Sequence, residues 1–278
     1  MFWLDRRPLA LGAALIVAAL PAVAMAGIVV ASSGPSAKDY PPGRKLPDTA
    51  SVTLKPSDSV TILDAKGTRV LKGAGTYTVG APAGASRSST FVALTQQRDA
   101  SRVRTGAVRG AGPNGQPLRP NLWYVDVTVP GPVCVIAGVP IRAWRPEMEG
   151  AVSYSTAAVV NHKPAGKRAA LAFADKSTVA AWDETAAPAE DGASYEVSDG
   201  SAPPVDLTFS VIAQAPRDPE QLAGQLMGRG CNGQLAVLTH ALALPSDGPH
   251  EGAIGEPTGG PSDGATDGAT DGATLPPQ

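Results

Sequence analysis

The chain has 278 residues, of which 43% are hydrophobic, 5% aromatic and 17% charged, and its formal net charge is −2 at pH 7. Its 31 Gly and 27 Pro residues form a share well above the average of about 12%. This composition excludes a coiled coil, which needs charged helix formers, and a collagen, which needs a regular glycine repeat. Only one long apolar run is present, which also excludes a polytopic membrane protein. A turn-rich, mainly β protein remains.

The start of the chain has the pattern of an export segment. Arg6 and Arg7 precede an apolar stretch, and Ala24-Met25-Ala26 has the small-residue spacing of a cleavage site. We therefore predict a signal peptide over residues 1–26. Because the apolar run continues to Ala31, it is also long enough to remain as an uncleaved membrane anchor. Either interpretation places the rest of the chain outside the cytoplasm, as a periplasmic or secreted protein that is anchored to the inner membrane in the second case.

A linker and a small β-module are predicted next. Residues 32–49 are rich in Pro, Ser and Gly and have no periodicity, which predicts a linker. Short strands separated by turn residues are predicted over residues 51–55, 60–62, 69–71 and 76–79. A short helix starting at residues 88–90, with Phe91 and Leu94 on one face, follows these strands. We assign residues 50–103 to this module.

The turns of this module match a known pattern. Ser57-Asp58 opens a strand, Gly67 lies in a hairpin turn, and Gly73-Ala74-Gly75 precedes the last strand. In these features residues 51–79 resemble a FecR-like periplasmic β-module. The resemblance implies a non-catalytic module; the family's regulators also carry a cytoplasmic segment that binds a sigma factor, and the few residues before the apolar run argue against that role. The remaining chain resembles secreted alphaproteobacterial proteins in general, which implies no mechanism.

A connector rich in Gly, Pro and Arg is predicted over residues 104–121. It belongs to an arginine-rich strip that extends from Arg87 to Arg119 and includes Arg102, Arg104 and Arg109. These side chains are candidates for binding an anionic polymer of the cell envelope. The alternative is a solvated connector without a ligand. Nucleic acid is not an expected partner, because an exported protein does not meet the genome.

Residues 122–245 are predicted to form a β-sandwich-like domain that ends in two helices. Apolar and polar residues alternate most regularly over residues 123–129. Further strands are predicted over residues 133–137, 140–144, 151–160, 168–174, 178–182, 194–197 and 205–212. Turn residues separate these segments, as in sandwich folds.

The two terminal helices have clear boundary signals. Asp218 and Pro219 form a favourable helix start, and Asn232 begins a second helix with three leucines on one face. Cys231 lies in the turn between the helices, and Cys134 lies in a strand. In an oxidising compartment these two cysteines predict a disulfide bond that joins the helices to the sandwich. The alternative is a pair of buried free thiols.

Residues 246–278 are predicted to be a disordered acidic tail. They contain six acidic residues, no Lys or Arg, and three tandem Asp-Gly-Ala-Thr repeats. The sequence has no zinc-binding spacing, no phosphate-binding glycine loop and no serine-hydrolase elbow. We therefore expect no metal and no cofactor.

These observations predict a non-enzymatic protein of the cell envelope that acts as an interaction, scaffold or sensory-partner module. Its partner would be an envelope protein or polymer. One alternative is a carbohydrate-active β-sandwich enzyme, because Asp183, Glu184 and Glu190 lie close to Trp182 in the sequence and glycosidases use paired carboxylates. The competing interpretation places the Trp182 ring in the core and the acids on a loop. A second alternative is binding of an anionic polymer by the arginine-rich strip.

Overall fold

The computed structural model describes residues 25–80, 86–96, 119–147 and 150–244. The chain is mainly β, with 40% strand and 15% helix, as the composition and the alternating patterns predict. Most of the predicted signal peptide (residues 1–26), the predicted tail (residues 246–278) and most of the predicted connector lie outside the described residues.

The first six strands form the small β-module. They are β1 (Met25–Ser33), β2 (Lys45–Pro47), β3 (Ser51–Leu54), β4 (Ser59–Leu63), β5 (Thr68–Lys72) and β6 (Gly75–Thr78). A four-stranded antiparallel sheet has the order β2-β1-β4-β5, and β3 pairs with β6. Alternate side chains point inward because successive residues of a strand face opposite sides. The four strands predicted between residues 51 and 79 are confirmed.

Strand β1 corrects the prediction for the apolar segment. Ile28 pairs with Leu63 and Val29 pairs with Ile62, so β1 lies between two other strands. The side chain of Val29 is fully buried in the module. An uncleaved anchor extending to residue 31 is therefore wrong, because a membrane helix cannot hold these residues in a sheet. Cleavage after residue 26 would leave the pairs from Ile28 onward intact.

The linker predicted over residues 32–49 is also wrong. This segment contains the end of β1, a series of turns, and β2. The carboxylate of Asp58 fixes it, because Oδ1 accepts a hydrogen bond from the backbone N–H of Ser36 at 3.1 Å and Oδ2 accepts one from Lys55 at 2.6 Å. Composition suggested flexibility here, but a buried acceptor from a distant turn orders the chain.

Three helices follow the predicted positions. They are α1 (Ser88–Thr95), α2 (Pro219–Gly228) and α3 (Asn232–Ala241). The buried residues of α1 are Phe91 and Leu94, as predicted. The start of α2 is also confirmed, because Asp218 Oδ1 accepts a hydrogen bond from the backbone N–H of Gln221 at 3.0 Å.

The sandwich contains the other eight strands of the described ranges. They are β7 (Val125–Asp126), β8 (Gly131–Ile136), β9 (Arg142–Trp144), β10 (Val152–Val160), β11 (Lys163–Phe173), β12 (Val179–Ala181), β13 (Ser194–Ser198) and β14 (Val205–Ile212). One sheet has the order β11-β10-β13-β14-β8, and the other has the order β12-β9-β7. The pairs β14/β8 and β7/β9 are parallel, and the others are antiparallel. Side chains from both sheets form one apolar core.

The segment predicted as the most regular strand is mostly a turn. Only β7 is strand within residues 123–129, and four consecutive side chains from Leu122 to Val125 are buried. The preceding residues are drawn to the C-terminal end of α1, whose last carbonyl groups have no helical partner. Leu122 N–H bonds Leu94 O at 3.0 Å, and the Trp123 indole N–H bonds Thr95 O at 2.8 Å.

A shared core joins the small β-module to the sandwich through the helices. It contains Ile28 and Leu63 from the module, Leu222 and Leu238 from α2 and α3, and Ile212 from β14. The connector predicted at residues 104–121 therefore divides the chain in sequence only. The apolar core extends from the small β-module into the sandwich. In the described ranges, no helix combines the length and the apolar character needed to cross a membrane.

The position of β1 can be tested by truncating a buried side chain. We expect Val29→Ala to lower the free energy of unfolding by about 2 kcal/mol, because it leaves a cavity in the module. Val160→Ala is the matched control, because this side chain is 56% exposed, and its cost should stay below about 1 kcal/mol. Urea denaturation of the purified protein measures both. Equal stability of the two variants would contradict the sheet position of β1.

Candidate functional site

The predicted disulfide bond is present between Cys134 and Cys231. Their Cα atoms lie 5.9 Å apart, and the bond closes a separation of 97 residues. Cys134 lies in β8, and Cys231 is the residue before the first turn of α3. Both are fully buried. The bond therefore ties the helical pair to an edge strand of the sandwich, as the sequence predicts.

Gln234 adds a hydrogen-bonded clamp at the same point. Its Oε1 accepts from Cys134 N–H at 2.7 Å, and its Nε2 donates to Cys134 O at 2.8 Å and to Leu122 O at 2.9 Å. Because β8 is an edge strand, the side-chain amide takes the place of a neighbouring strand. The sequence analysis missed this residue. The available signal was a polar side chain next to Leu235 in a helix that is otherwise largely apolar.

The clamp can be tested by replacing the amide with an apolar side chain. We expect Gln234→Leu to lower the free energy of unfolding by about 3 kcal/mol or more, because three buried backbone groups lose their partner. Gln221→Leu is the matched control on the exposed face of α2 and should change stability by less than about 0.5 kcal/mol. Urea denaturation of the oxidised protein measures both. Similar stability of the two variants would show that the clamp contributes nothing.

The predicted polymer-binding arginines Arg102, Arg104 and Arg109 lie outside the described residues. The two ends of the same strip are described. Arg87 Nε donates a hydrogen bond to Ala243 O at 3.1 Å, and Arg119 is only 7% exposed. The exposed Arg87 therefore holds the chain that follows α3, and Arg119 is part of the interior. The prediction for the central arginines remains untested.

The predicted carbohydrate site does not assemble around Trp182. Its ring is buried, its Nε1–H donates to Ala187 O at 2.8 Å, and it packs edge-on against Tyr195 and Phe209 at centroid distances of 5.8 and 5.3 Å. A sugar-binding platform needs an exposed aromatic face. The ring belongs instead to the sandwich core.

The nearby carboxylates stabilise backbone turns. Asp183 Oδ1 accepts from the N–H groups of Thr185 and Ala186, at 3.0 and 3.2 Å. Glu184 Oε1 accepts from the N–H of Ile141 at 3.0 Å. Glu190 is exposed on the following loop. These acids therefore do not form a pair beside an aromatic face.

A cavity of about 160 Å³ lies where the sandwich meets the start of α3. Its polar lining comes from Arg119, Asp126 and the first turn of α3, and its apolar lining includes Val129 and Pro132. Arg119 Nη1 donates to Tyr124 O at 3.0 Å. Burial lowers the pKa of the Arg119 guanidinium, and the nearby Asp126 carboxylate opposes that effect.

The hairpin formed by β10 and β11 is the second candidate site. Asn161 and His162 form its two-residue turn with positive φ angles of 50° and 61°, as in the turns that suit twisted hairpins. No Asp or Glu occurs between residues 152 and 173. The side chains of Lys163 and Lys167 are exposed along β11. The hairpin therefore has one sign of charge.

A β-bulge in β11 contains two of the positively charged residues of the hairpin. Ala158 pairs with Ala165, but Thr156 pairs with Ala169, so β11 has additional residues opposite Ala157. These additional residues include Lys167 and Arg168. Arg168 is held by hydrogen bonds to Ser155 Oγ at 3.2 Å and to Glu196 Oε1 at 3.1 Å. Bulges commonly re-aim side chains in this way.

An acidic group with a shifted pKa lies at the start of α2. Burial raises the pKa of Glu220 to about 7, and the carboxylates of Asp218, Asp64 and Asp48 add to the shift, while Lys45 opposes it. The protonated form is therefore favoured in the folded state. Its stabilising contribution is complete below about pH 4.5 and is lost as the pH rises through about 7.

The effect of the Glu220 charge on the stability of the fold can be tested by replacing this residue with its neutral isostere. We expect Glu220→Gln to remove this pH dependence and to raise the free energy of unfolding at pH 8 by roughly 1 kcal/mol, since solvent screens a partly exposed group. Glu190→Gln, at an exposed position, is the control. Urea denaturation at pH 5 and pH 8 compares the proteins. An unchanged pH dependence in Glu220→Gln would contradict this assignment.

Comparisons with known proteins found no matching family model, no matching curated protein and no matching solved structure.

Proposed function

We propose that this chain is a non-catalytic binding protein of the cell envelope that presents the β10–β11 hairpin to an anionic polymer. The observation that carries the proposal is the hairpin's charge: Lys163 and Lys167 are exposed on it and it contains no acidic residue, while Arg168 is paired with Glu196 on β13. Polyanions bind such surfaces by exchanging their counterions for fixed cations.

The geometry of the hairpin supports this role. Val160 at its end is 56% exposed beside Lys163, and the bulge directs Lys167 and Arg168 away from the regular pairing. Charged residues on an edge strand also prevent unwanted strand pairing. Protection against strand pairing requires only that the charges are present. Polymer binding is an attraction between opposite charges, and added salt weakens it. A salt titration therefore separates the two effects.

The disulfide and the export pattern support the location. A bond between Cys134 and Cys231 persists in oxidising compartments, and residues 1–26 have the pattern of a signal peptide. The roles of the acids support the absence of catalysis. Asp58, Asp183 and Glu184 are each occupied by backbone N–H groups.

The proposal can be tested by neutralising the two exposed lysines. We expect the double variant Lys163→Gln, Lys167→Gln to bind dextran sulfate about tenfold more weakly and with a shallower dependence on salt, because fewer counterions are released. The matched control is Lys38→Gln with Lys72→Gln, two exposed lysines of the small β-module. Isothermal titration calorimetry at several salt concentrations provides the affinities.

Two outcomes would overturn the hairpin site. The first is an equal loss of affinity in the control, which would indicate binding through net charge alone. The second is a loss that occurs only in the triple variant Arg102→Gln, Arg104→Gln, Arg109→Gln, which would place the site on the arginine-rich strip. A wild-type protein that does not bind the polymer would overturn the function as well.

A further inference from the structure

The guanidinium of Arg119 is a buried cation with few partners. It is 7% exposed, and the acceptor for it among the described residues is the carbonyl of Tyr124. No described carboxylate forms an ion pair with it. An arginine has five N–H donors, so several of them have no described acceptor, and the Asp126 carboxylate acts on the charge from beyond ion-pair distance. Nη2 lies on the cavity side, 3.7 Å from the position that a Cβ atom on Gly233 would occupy.

A second buried arginine, Arg145, has different surroundings. It lies over the ring of Phe173 at 5.2 Å and its Nη2 donates to Gly150 O at 2.6 Å, while its Nε is buried without a hydrogen-bond partner. Arg119 has a carbonyl partner and no described aromatic ring over it. Its Nη2 lies instead beside the residues that line the cavity.

The first turn of α3 supplies further donors to the same cavity. The backbone N–H groups of Gly233 and Gln234 have no acceptor among the described residues, and both residues line the cavity. The residue before the helix cannot cap them with its side chain, because Cys231 is in the disulfide bond. Unpaired N–H groups at the start of a helix favour a carboxylate or another anion.

The carboxylate of Asp126 lies on the cavity wall and determines which anions fit. Its Oδ1 accepts hydrogen bonds from Thr128 N–H at 2.9 Å and from Thr128 Oγ1 at 2.6 Å, which leaves Oδ2 without a described partner. A simple anion would be repelled by this group. A ligand with both an anionic and a cationic end would be bound by both charges. Val129 and Pro132 add an apolar surface between them.

We propose that this cavity binds a free α-amino acid with a small apolar side chain. Its carboxylate bonds Arg119 and the N–H groups of Gly233 and Gln234, its ammonium group pairs with Asp126, and its side chain contacts Val129. A cavity of about 160 Å³ lies well below the roughly 300–1,000 Å³ of pockets for drug-sized ligands, so it admits a small ligand only. The site is separate from the hairpin, so either can exist without the other.

The experiment titrates the oxidised full chain with L-alanine, L-valine, acetate and ethylamine, and calorimetry measures the binding of each. We expect millimolar or tighter binding of the amino acids and at least tenfold weaker binding of acetate and ethylamine, because each of these has one of the two charges. Asp126→Asn should weaken amino-acid binding about tenfold without changing the affinity for acetate by that factor. Asp206→Asn, an exposed acid on β14, is the matched control and should bind like the wild type.

Arg119→Gln should abolish binding of every carboxylate. If Arg119→Gln does not fold, Asp126→Asn supplies the test. The proposal is overturned if acetate binds as tightly as L-alanine and Asp126→Asn strengthens both, which would indicate a site for simple anions. It is also overturned if no amino acid binds at millimolar concentration, or if Asp206→Asn weakens binding as much as Asp126→Asn does. The polymer assay on the hairpin is unaffected by any of these results.

Discussion

The attachment of α3 to the edge strand β8 holds the two halves of the molecule together. At Cys134 a covalent bond to Cys231 and the side-chain amide of Gln234 meet on one residue of the strand. The disulfide bond restricts the distance between α3 and β8. The Gln234 amide determines the orientation of α3 on the strand, because its three hydrogen bonds are buried and all have to be satisfied. The start of α3 is thereby held against the sandwich, and the wall of the cavity with Arg119 is formed at that junction.

The other end of α3 makes the corresponding attachment to the small β-module. Thr68 N–H bonds Leu242 O at 2.8 Å, and Leu244 N–H bonds Thr68 O at 2.8 Å, so the chain after the helix pairs with the edge of β5. Gly67 permits this contact, because a Cβ atom there would lie 2.6 Å from Leu242 O. One helix therefore connects the small β-module to the sandwich, and the shared core fills the space around it.

Local patterns predicted most of the fold because short strands and helix boundaries depend on nearby residues. The alternation in β14 and the Asp218-Pro219 start of α2 are examples, and both agree with the structure. The failures occurred where distant groups decide the conformation. Residues 32–49 are ordered by Asp58, and residues 121–123 are drawn to the last carbonyls of α1. Neither contact has a signal in the local sequence.

The candidate sites were likewise predictable where the local sequence carries a signal and unpredictable where distant residues meet. The disulfide was predictable because there are only two cysteines and their surroundings suggest burial and proximity. The cavity was not, since Arg119 and Asp126 meet the start of α3 only through the tertiary fold. Trp182 and its neighbouring acids had the composition of a sugar site, but the ring packs inward and the acids face the backbone.

The central position of β1 has a consequence for how the small β-module folds. Residues 28–30 belong to the apolar run that ends at Ala31 and also to the interior of the four-stranded sheet, and they cannot occupy a bilayer and the sheet at once. If a bilayer held them, β2 and β4 would have no strand between them, and the small β-module could not close. The module therefore forms only when this segment is free of any membrane.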